Sequence, residues 1–247
     1  FGDVDGDGDL DLVIAEWGAG AVDAGGRTRL YTNDGAGRFT EVTATQMPNL
    51  LVEWSWDVEL VDVDQDWDLD IVVSCKLCAR NLIFKNDGAG TFTDDPAALP
   101  TFTNNYEFEA MDIDGDGDLD LMTINTGPQI RERLLINDGT GKYTDETAAR
   151  LAGSTNPSTD DNAVVFLDID SDGDADLFVA SLSGADRLLI NNGAGVFTLS
   201  PNATPNDSPG SLGVAAADLN GDGRLDLVQA QGESAFPERV HRPHRLH

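Results

Sequence analysis

A nine-residue acidic motif returns five times along the chain, and no other feature limits the possible folds as tightly. It reads DVDGDGDLD at residues 3–11, DVDQDWDLD at 62–70, DIDGDGDLD at 112–120, DIDSDGDAD at 168–176 and DLNGDGRLD at 218–226. Successive copies begin 59, 50, 56 and 50 residues apart. A second motif follows each of the first four: NDGAGRFT from Asn33, NDGAGTFT from Asn86, NDGTGKYT from Asn137 and NNGAGVFT from Asn191, at offsets of 30, 24, 25 and 23 residues. Two motifs in constant order, four times over, define a repeat protein.

Each repeat reads as β structure. Apolar or alternating runs such as WSWDVELV and NAVVFL precede the acidic motif, and LDLVIA, LDIVVS, LDLMTI, ADLFVA and LDLVQA follow it. A third run (RLYT, NLIFK, RLLI) enters the Asn-Asp-Gly turn, a hairpin signal, and RFTEVT or TFTDD leaves it as a fourth strand. Four short strands in about 50 residues is the period of a propeller blade, whereas a β-sandwich gives no reason for a motif to recur at that spacing. The expected fold is therefore all-β: a β-propeller of four-stranded blades with the acidic loop between the first two strands, incomplete at about four to five blades. The repeats run roughly over 1–48, 49–100, 101–153, 154–204 and 205–235. An atypical His/Arg-rich end follows at 236–247, read as truncated or disordered.

The spacing D-x-D-x-D-G-x-x-D offers side-chain oxygens at positions 1, 3, 5 and 9 and a backbone carbonyl at position 7. Oxygen-only ligation rich in carboxylates suits a hard cation with six to eight ligands, Ca²⁺ ahead of Mg²⁺. The candidate side-chain ligands are Asp3, Asp5, Asp7 and Asp11; Asp62, Asp64, Asp66 and Asp70; Asp112, Asp114, Asp116 and Asp120; Asp168, Asp170, Asp172 and Asp176; and Asp218, Asn220, Asp222 and Asp226. Position 7 supplies the carbonyls of Asp9, Asp68, Asp118, Asp174 and Arg224. Glycine at position 6 permits a turn with positive φ, but the second loop has Trp67 there, which must strain the backbone or open the turn. Four to five calcium sites are expected, with 62–70 the weakest. Solvated acidic turns are the bland reading, and five copies that keep oxygen side chains at all four positions argue against it. An EF-hand needs Glu at position 12, where this chain has Ile14, Val73, Thr123, Val179 and Gln229.

These loops, with Phe1-Gly2 leading into DGDGDLDLVIAEWGAG, resemble the FG-GAP (or VCBS) repeat of integrin α-subunit propellers and many secreted bacterial proteins. The added LxNDGxGxFT hairpin resembles the secreted propellers that accompany ASPIC/UnbV domains, including the cartilage acidic protein group. The resemblance covers residues 1 to about 235. It implies a calcium-bound blade and says much less about function.

Charge narrows the partners. With 45 acids against 15 bases the net charge is −30, so nucleic acid and anionic membrane surfaces are poor partners. No apolar stretch approaches the length of a membrane-spanning helix. The three histidines, His241, His244 and His247, all lie in the last seven residues, so the body cannot hold a Ser-His-Asp or Cys-His arrangement. The chain is thus expected not to be an enzyme but a secreted, periplasmic or cell-surface binding or adhesion module, stabilised by calcium. Its ligand, protein or glycan, would meet the varied b–c and d–a loops at the end opposite the calcium loops. The alternative is part of a secreted calcium-dependent polysaccharide-degrading enzyme, a lyase-like propeller. Tyr31 and Tyr143 fall at strand positions that suit packing. Trp54 and Trp56, two apart in an expected strand, read as packed between blades, and Trp17 as core or rim packing rather than a sugar platform. Cys75 and Cys78 read as a local disulfide or ordinary thiols, since no second Cys/His pair completes a zinc site. The chain begins at Phe1 without the strand that should precede its first loop, and is expected to be part of a larger propeller of about seven blades.

Overall fold

The computed structural model describes residues 1–17, 26–52, 54–125, 131–200 and 210–231. It is built from antiparallel sheets whose strands follow one another in sequence order. The first sheet comprises β1 (Leu12–Ile14), β2 (Arg29–Asn33) and β3 (Phe39–Glu41), with an isolated bridge between Gly2 and Asp11. A one-turn helix, α1 (Thr43–Gln46), follows it. The second sheet comprises β4 (Val58–Val61), β5 (Asp70–Val73), β6 (Leu82–Asn86) and β7 (Phe92–Asp94). The third has β8 (Asn105–Met111), β9 (Asp120–Asn125), β10 (Leu134–Asn137) and β11 (Tyr143–Asp145), and a second short helix, α2 (Thr147–Arg150), follows. The fourth has β12 (Asp161–Leu167), β13 (Asp176–Ser181), β14 (Arg187–Ile190) and β15 (Thr198–Leu199). β16 (Ser211–Ala217) pairs with β17 (Asp226–Gln231) in a two-stranded sheet. The His/Arg-rich end at 236–247 lies outside the described residues.

Short, β-branched segments such as LDIVVS favour strands, and their burial shows how those strands are used. Every residue of β5, β9, β10 and β13 is buried. An antiparallel sheet with one wet face would alternate, so here both faces are covered. Successive side chains of β5 point to opposite faces: Ile71 and Val73 pack with Val13, Leu30 and Phe84, while Val72 packs with Ile83, Phe108 and Leu135. The second sheet is thereby held between residues of the first and residues of the third. By contacts the chain forms two compact units. The first contains Phe1–Ala110, Asp118–Thr123 and Leu135–Asp145, and both of those apolar clusters belong to it. In the second, Leu167, Phe178, Ala180 and Leu188 pack with Leu227. Burying one such side chain contributes about 1.5–3 kcal/mol, so these clusters supply most of the cohesion between sheets.

The tryptophan expectation needs correction. The strand expected to begin at Trp54 begins at Val58. Trp54 has φ of 59°, which no strand residue adopts, and Trp56 is 56% exposed. The two therefore do not share a strand face, and Trp56 is not buried between blades. Tyr143 is buried, as its strand position suggested. Cys75 and Cys78 form a disulfide in the loop after β5.

β4 and β8, the first strands of their sheets, bring Glu59, Glu107 and Glu109 near one another and near Asp57, whose carboxylate accepts the N–H of Phe108 at 3.1 Å. Burial first, and then neighbouring carboxylates, pushes all three glutamates up to about 7 from an ordinary value of 4.5. Between those two values the folded chain binds more protons than the unfolded one, so their contribution to stability falls as pH rises through that window. Glu107→Gln is therefore expected to raise the melting temperature relative to the parent at pH 8 and to leave it unchanged at pH 4, measured by scanning calorimetry.

Candidate functional site

Each acidic motif folds into the same tight loop, because its fourth and sixth residues both take positive φ. In the first loop these are Gly6 (75°) and Gly8 (92°), in the third Gly115 (77°) and Gly117 (94°), and in the fifth Gly221 (76°) and Gly223 (82°). The fourth loop has Ser171 at 65° before Gly173 at 97°, and the second has Gln65 at 62° and Trp67 at 73°. Trp67 thus strains the backbone and leaves the turn closed, with its ring 92% exposed. The position-1 aspartate gathers the loop around itself: Asp3 accepts the N–H groups of Gly6 and Gly8 at 2.9 and 3.0 Å, and Asp62 those of Asp66 and Trp67 at 3.2 and 3.0 Å.

Carboxylates then converge. Asp3, Asp5 and Asp11 place one oxygen each within 4.8 Å of one another, as do Asp62, Asp64 and Asp66, Asp112, Asp114 and Asp120, and Asp168, Asp170 and Asp176. Asp7, Asp172 and Asp222 bond instead to a backbone N–H two residues on, those of Asp9, Asp174 and Arg224. In the fifth loop Asn220 donates its amide to Asp226 at 3.1 Å, and no three carboxylates of that loop converge among the described residues. Asp9, Asp68, Asp118 and Asp174 lay their carboxylates against Gly35, Gly88, Gly139 and Gly193 of the hairpin turns, where a Cβ would meet an oxygen at 2.4–2.7 Å. Desolvation and the neighbouring acids raise Asp5 and Asp170 above the usual carboxylate range. The clusters fit a hard cation: every donor is oxygen, and the buried Oδ1 atoms of Asp64 and Asp114 have no hydrogen-bond partner.

The aspartate at position 9, a member of three of these clusters, has a second task. Asp11, Asp70, Asp120 and Asp176 are essentially inaccessible. Through Oδ1 they accept the N–H of Asn33, Asn86, Asn137 and Asn191 at 2.8, 2.7, 2.8 and 2.8 Å. Through Oδ2, Asp11, Asp70 and Asp176 also accept the N–H at loop position 2, each at 3.0 Å. Burial pushes Asp70 up to about 6 despite both bonds. Asn86, Asn137 and Asn191 then each link two sheets. Asn86 donates its amide to the carbonyls of Leu69 in its own loop and Val4 in the preceding one; Asn137 does so to Leu119 and Val63, and Asn191 to Ala175 and Ile113. Their Oδ1 atoms accept the N–H of both turn glycines, Gly88 and Gly90 in the second sheet. The sequence marks these asparagines only as turn residues.

An FG-GAP-like repeat signature matches residues 3–73, 75–123 and 168–228, most of the chain and all five loops. The chain belongs to the FG-GAP repeat family. Its fold is the blade architecture of that family, all-β with four-stranded antiparallel sheets. Among solved structures it is similar to a lectin from Agrocybe aegerita described as recognising non-reducing terminal N-acetylglucosamine, with TM-score 0.58, 19% identity and 92% of this chain covered. It is also similar to the V. cholerae biofilm matrix protein Bap1, with TM-score 0.53, 16% identity and 93% covered. The match spans 58% of the lectin chain and 33% of Bap1. A comparison with curated protein sequences finds no match.

Two FG-GAP loops carry a cation of their own. Lys85 on β6 pairs with Asp64 at 2.9 Å and donates to the carbonyl of Thr140 in the next repeat's turn at 2.8 Å. Arg150 at the end of α2 pairs with Asp114 at 2.8 Å and donates to the carbonyl of Ala194 at 2.6 Å. The two side chains come from a strand and from a helix and reach equivalent places. No sequence motif announced them.

Two outcomes follow from this geometry. Asn137→Ala leaves the carbonyls of Val63 and Leu119 and the N–H groups of Gly139 and Gly141 without their partner, and should cost about 3 kcal/mol in chemical denaturation. Trp67→Gly relieves a left-handed tryptophan and should gain roughly 0.5–1 kcal/mol, the strain released exceeding the added freedom of the unfolded chain.

Proposed function

We propose that this FG-GAP chain is a calcium-stabilised binding and adhesion module of an extracellular, periplasmic or cell-surface protein, acting by recognition rather than catalysis. The observation that carries the reading is the convergence of three carboxylates in four successive loops, two of them with a buried oxygen left without a hydrogen-bond partner. Like charges so close destabilise the folded state until a cation neutralises them, and oxygen-only ligation at flexible loops suits Ca²⁺. Asp3, Asp5 and Asp11, Asp62, Asp64 and Asp66, Asp112, Asp114 and Asp120, and Asp168, Asp170 and Asp176 would hold the ions, whose role is structural. The Cys75–Cys78 disulfide supports an oxidising location. The likeness to a glycan-recognising lectin and to a biofilm matrix protein supports a protein or carbohydrate ligand. The loops opposite the acidic motifs would contact it, since they vary widely from repeat to repeat.

With dissociation constants near 10⁻³ M, 10 mM calcium contributes about 1.4 kcal/mol per site. Melting followed by circular dichroism should shift upward by more than about 10 °C over several sites, and a chelator should reverse it. An unchanged curve rules out structural calcium. Binding to an array of glycans and matrix proteins, in calcium, tests the recognition role, and silence across both classes would refute it.

A further inference from the structure

At the end of the sheets away from the acidic loops, four aromatic side chains from three separate stretches of the sequence form one half-exposed patch. Trp17, after β1, stacks on Trp54 with centroids 4.9 Å apart and planes at 18°, and meets Trp56 edge-on at 4.5 Å and 88°. Trp56 in turn touches Tyr106 of β8 at 5.3 Å. Trp17 is 38% and Trp56 56% exposed, although Trp is a residue that folding normally hides. The Lys76 ammonium lies over Tyr106 at 4.3 Å and over Trp54 at 5.7 Å, and bonds the Tyr106 hydroxyl.

The backbone holds this patch rigid. Lys76 sits inside the Cys75–Cys78 disulfide loop; its N–H donates to Trp54 O at 3.1 Å, and its carbonyl accepts the N–H of Asn104 at 3.0 Å. Both of those partners are non-glycine residues with positive φ, Trp54 at 59° and Asn104 at 67°. Ser74 Oγ donates to Tyr106 O at 2.6 Å and accepts the N–H of Asp57, next to Trp56, at 3.0 Å. Strained backbone retained around exposed rings marks a surface kept for recognition, and rigid aromatic anchors lose little entropy on binding.

We propose that this patch is a carbohydrate site that takes a neutral pyranose. The inference rests on the reading of this face as ligand-binding and adds the ligand class and the residues. Two ring planes at right angles make a corner that can cover a face and an edge of one six-membered sugar ring, whose C–H bonds meet the negative ring faces. The Tyr106 hydroxyl and the Lys76 ammonium supply polar contacts for sugar oxygens. Charge selects among partners. A net charge of −30 repels sulfated or uronic polyanions, and Lys76 at the centre of the patch disfavours a basic peptide. A neutral polyhydroxylated ligand meets neither barrier.

The test uses the full chain in calcium with Trp67→Phe as background, so that Trp17, Trp54 and Trp56 are the only fluorescent tryptophans. Titration with the methyl glycosides of glucose, galactose, mannose and N-acetylglucosamine should give a saturable emission change with at least one of them. Trp56→Ala should then weaken binding roughly tenfold without moving the melting temperature, because the ring is mostly exposed. A heparin-like polysaccharide and an Arg-rich peptide should not compete. No response to any of the four sugars, or full affinity retained in Trp56→Ala, overturns the proposal. If the sugars fail while an array protein binds and Trp56→Ala abolishes that binding, the patch is a protein interface: the glycan inference falls and the recognition reading stands. If neither sugar nor protein binds, both fall.

Discussion

One buried carboxylate in each of the first four repeats holds the chemistry of this fold in place. At the ninth loop position Asp11, Asp70, Asp120 and Asp176 are sealed from water, where an ion survives only if its oxygens find donors. They find them in the backbone N–H of the hairpin asparagine and, in Asp11, Asp70 and Asp176, in that of the loop's own second residue. That arrangement fixes the acidic loop against the hairpin, sets the asparagine amide where it can reach the preceding loop, and in three loops brings the buried carboxylate itself within reach of two further aspartates. The apolar clusters between sheets give cohesion without direction, whereas these bonds set the registry of one blade on the next.

The converged aspartates create the second constraint. Lys85 and Arg150 answer part of the repulsion in the second and third loops, and each leaves one carboxylate oxygen of its partner unbonded. A protein cation at that place ties the loop to the following turn. Acidic loops and blade contacts are therefore not separate subjects, since the same aspartate serves both.

Much of this was legible before any coordinates. Strand count, blade period and loop position followed from the two motifs, because both turn types demand glycine and aspartate at fixed offsets. The response of Trp67 was confined to two outcomes, and the backbone takes the strained one. Other features left no local trace. Position 4 also needs positive φ, but Gln65 and Ser171 occupy it in two copies and mask the rule. Lys85 and Arg150 reach equivalent places from a strand and from a helix, so alignment of the repeats separates them. Trp54 and Trp56 carry a strand's spacing, yet a left-handed residue at Trp54 turns the chain out of the sheet, and only the fold brings them to Trp17 and Tyr106. The aromatic patch is illegible locally because Trp17, Trp54, Trp56 and Tyr106 come from three different repeats.

The asparagine link also has a direction. Val4, Val63 and Ile113 carbonyls, each in an earlier loop, are met by amides from the following repeat, 74 to 82 residues later in the chain. A blade's acidic loop is thus finished by its successor rather than by itself. For a polypeptide leaving the ribosome, each loop waits open until the next hairpin emerges, and the structure closes in the order of translation. A ratchet of this kind rewards correct neighbours and gives a misplaced blade nothing to hold.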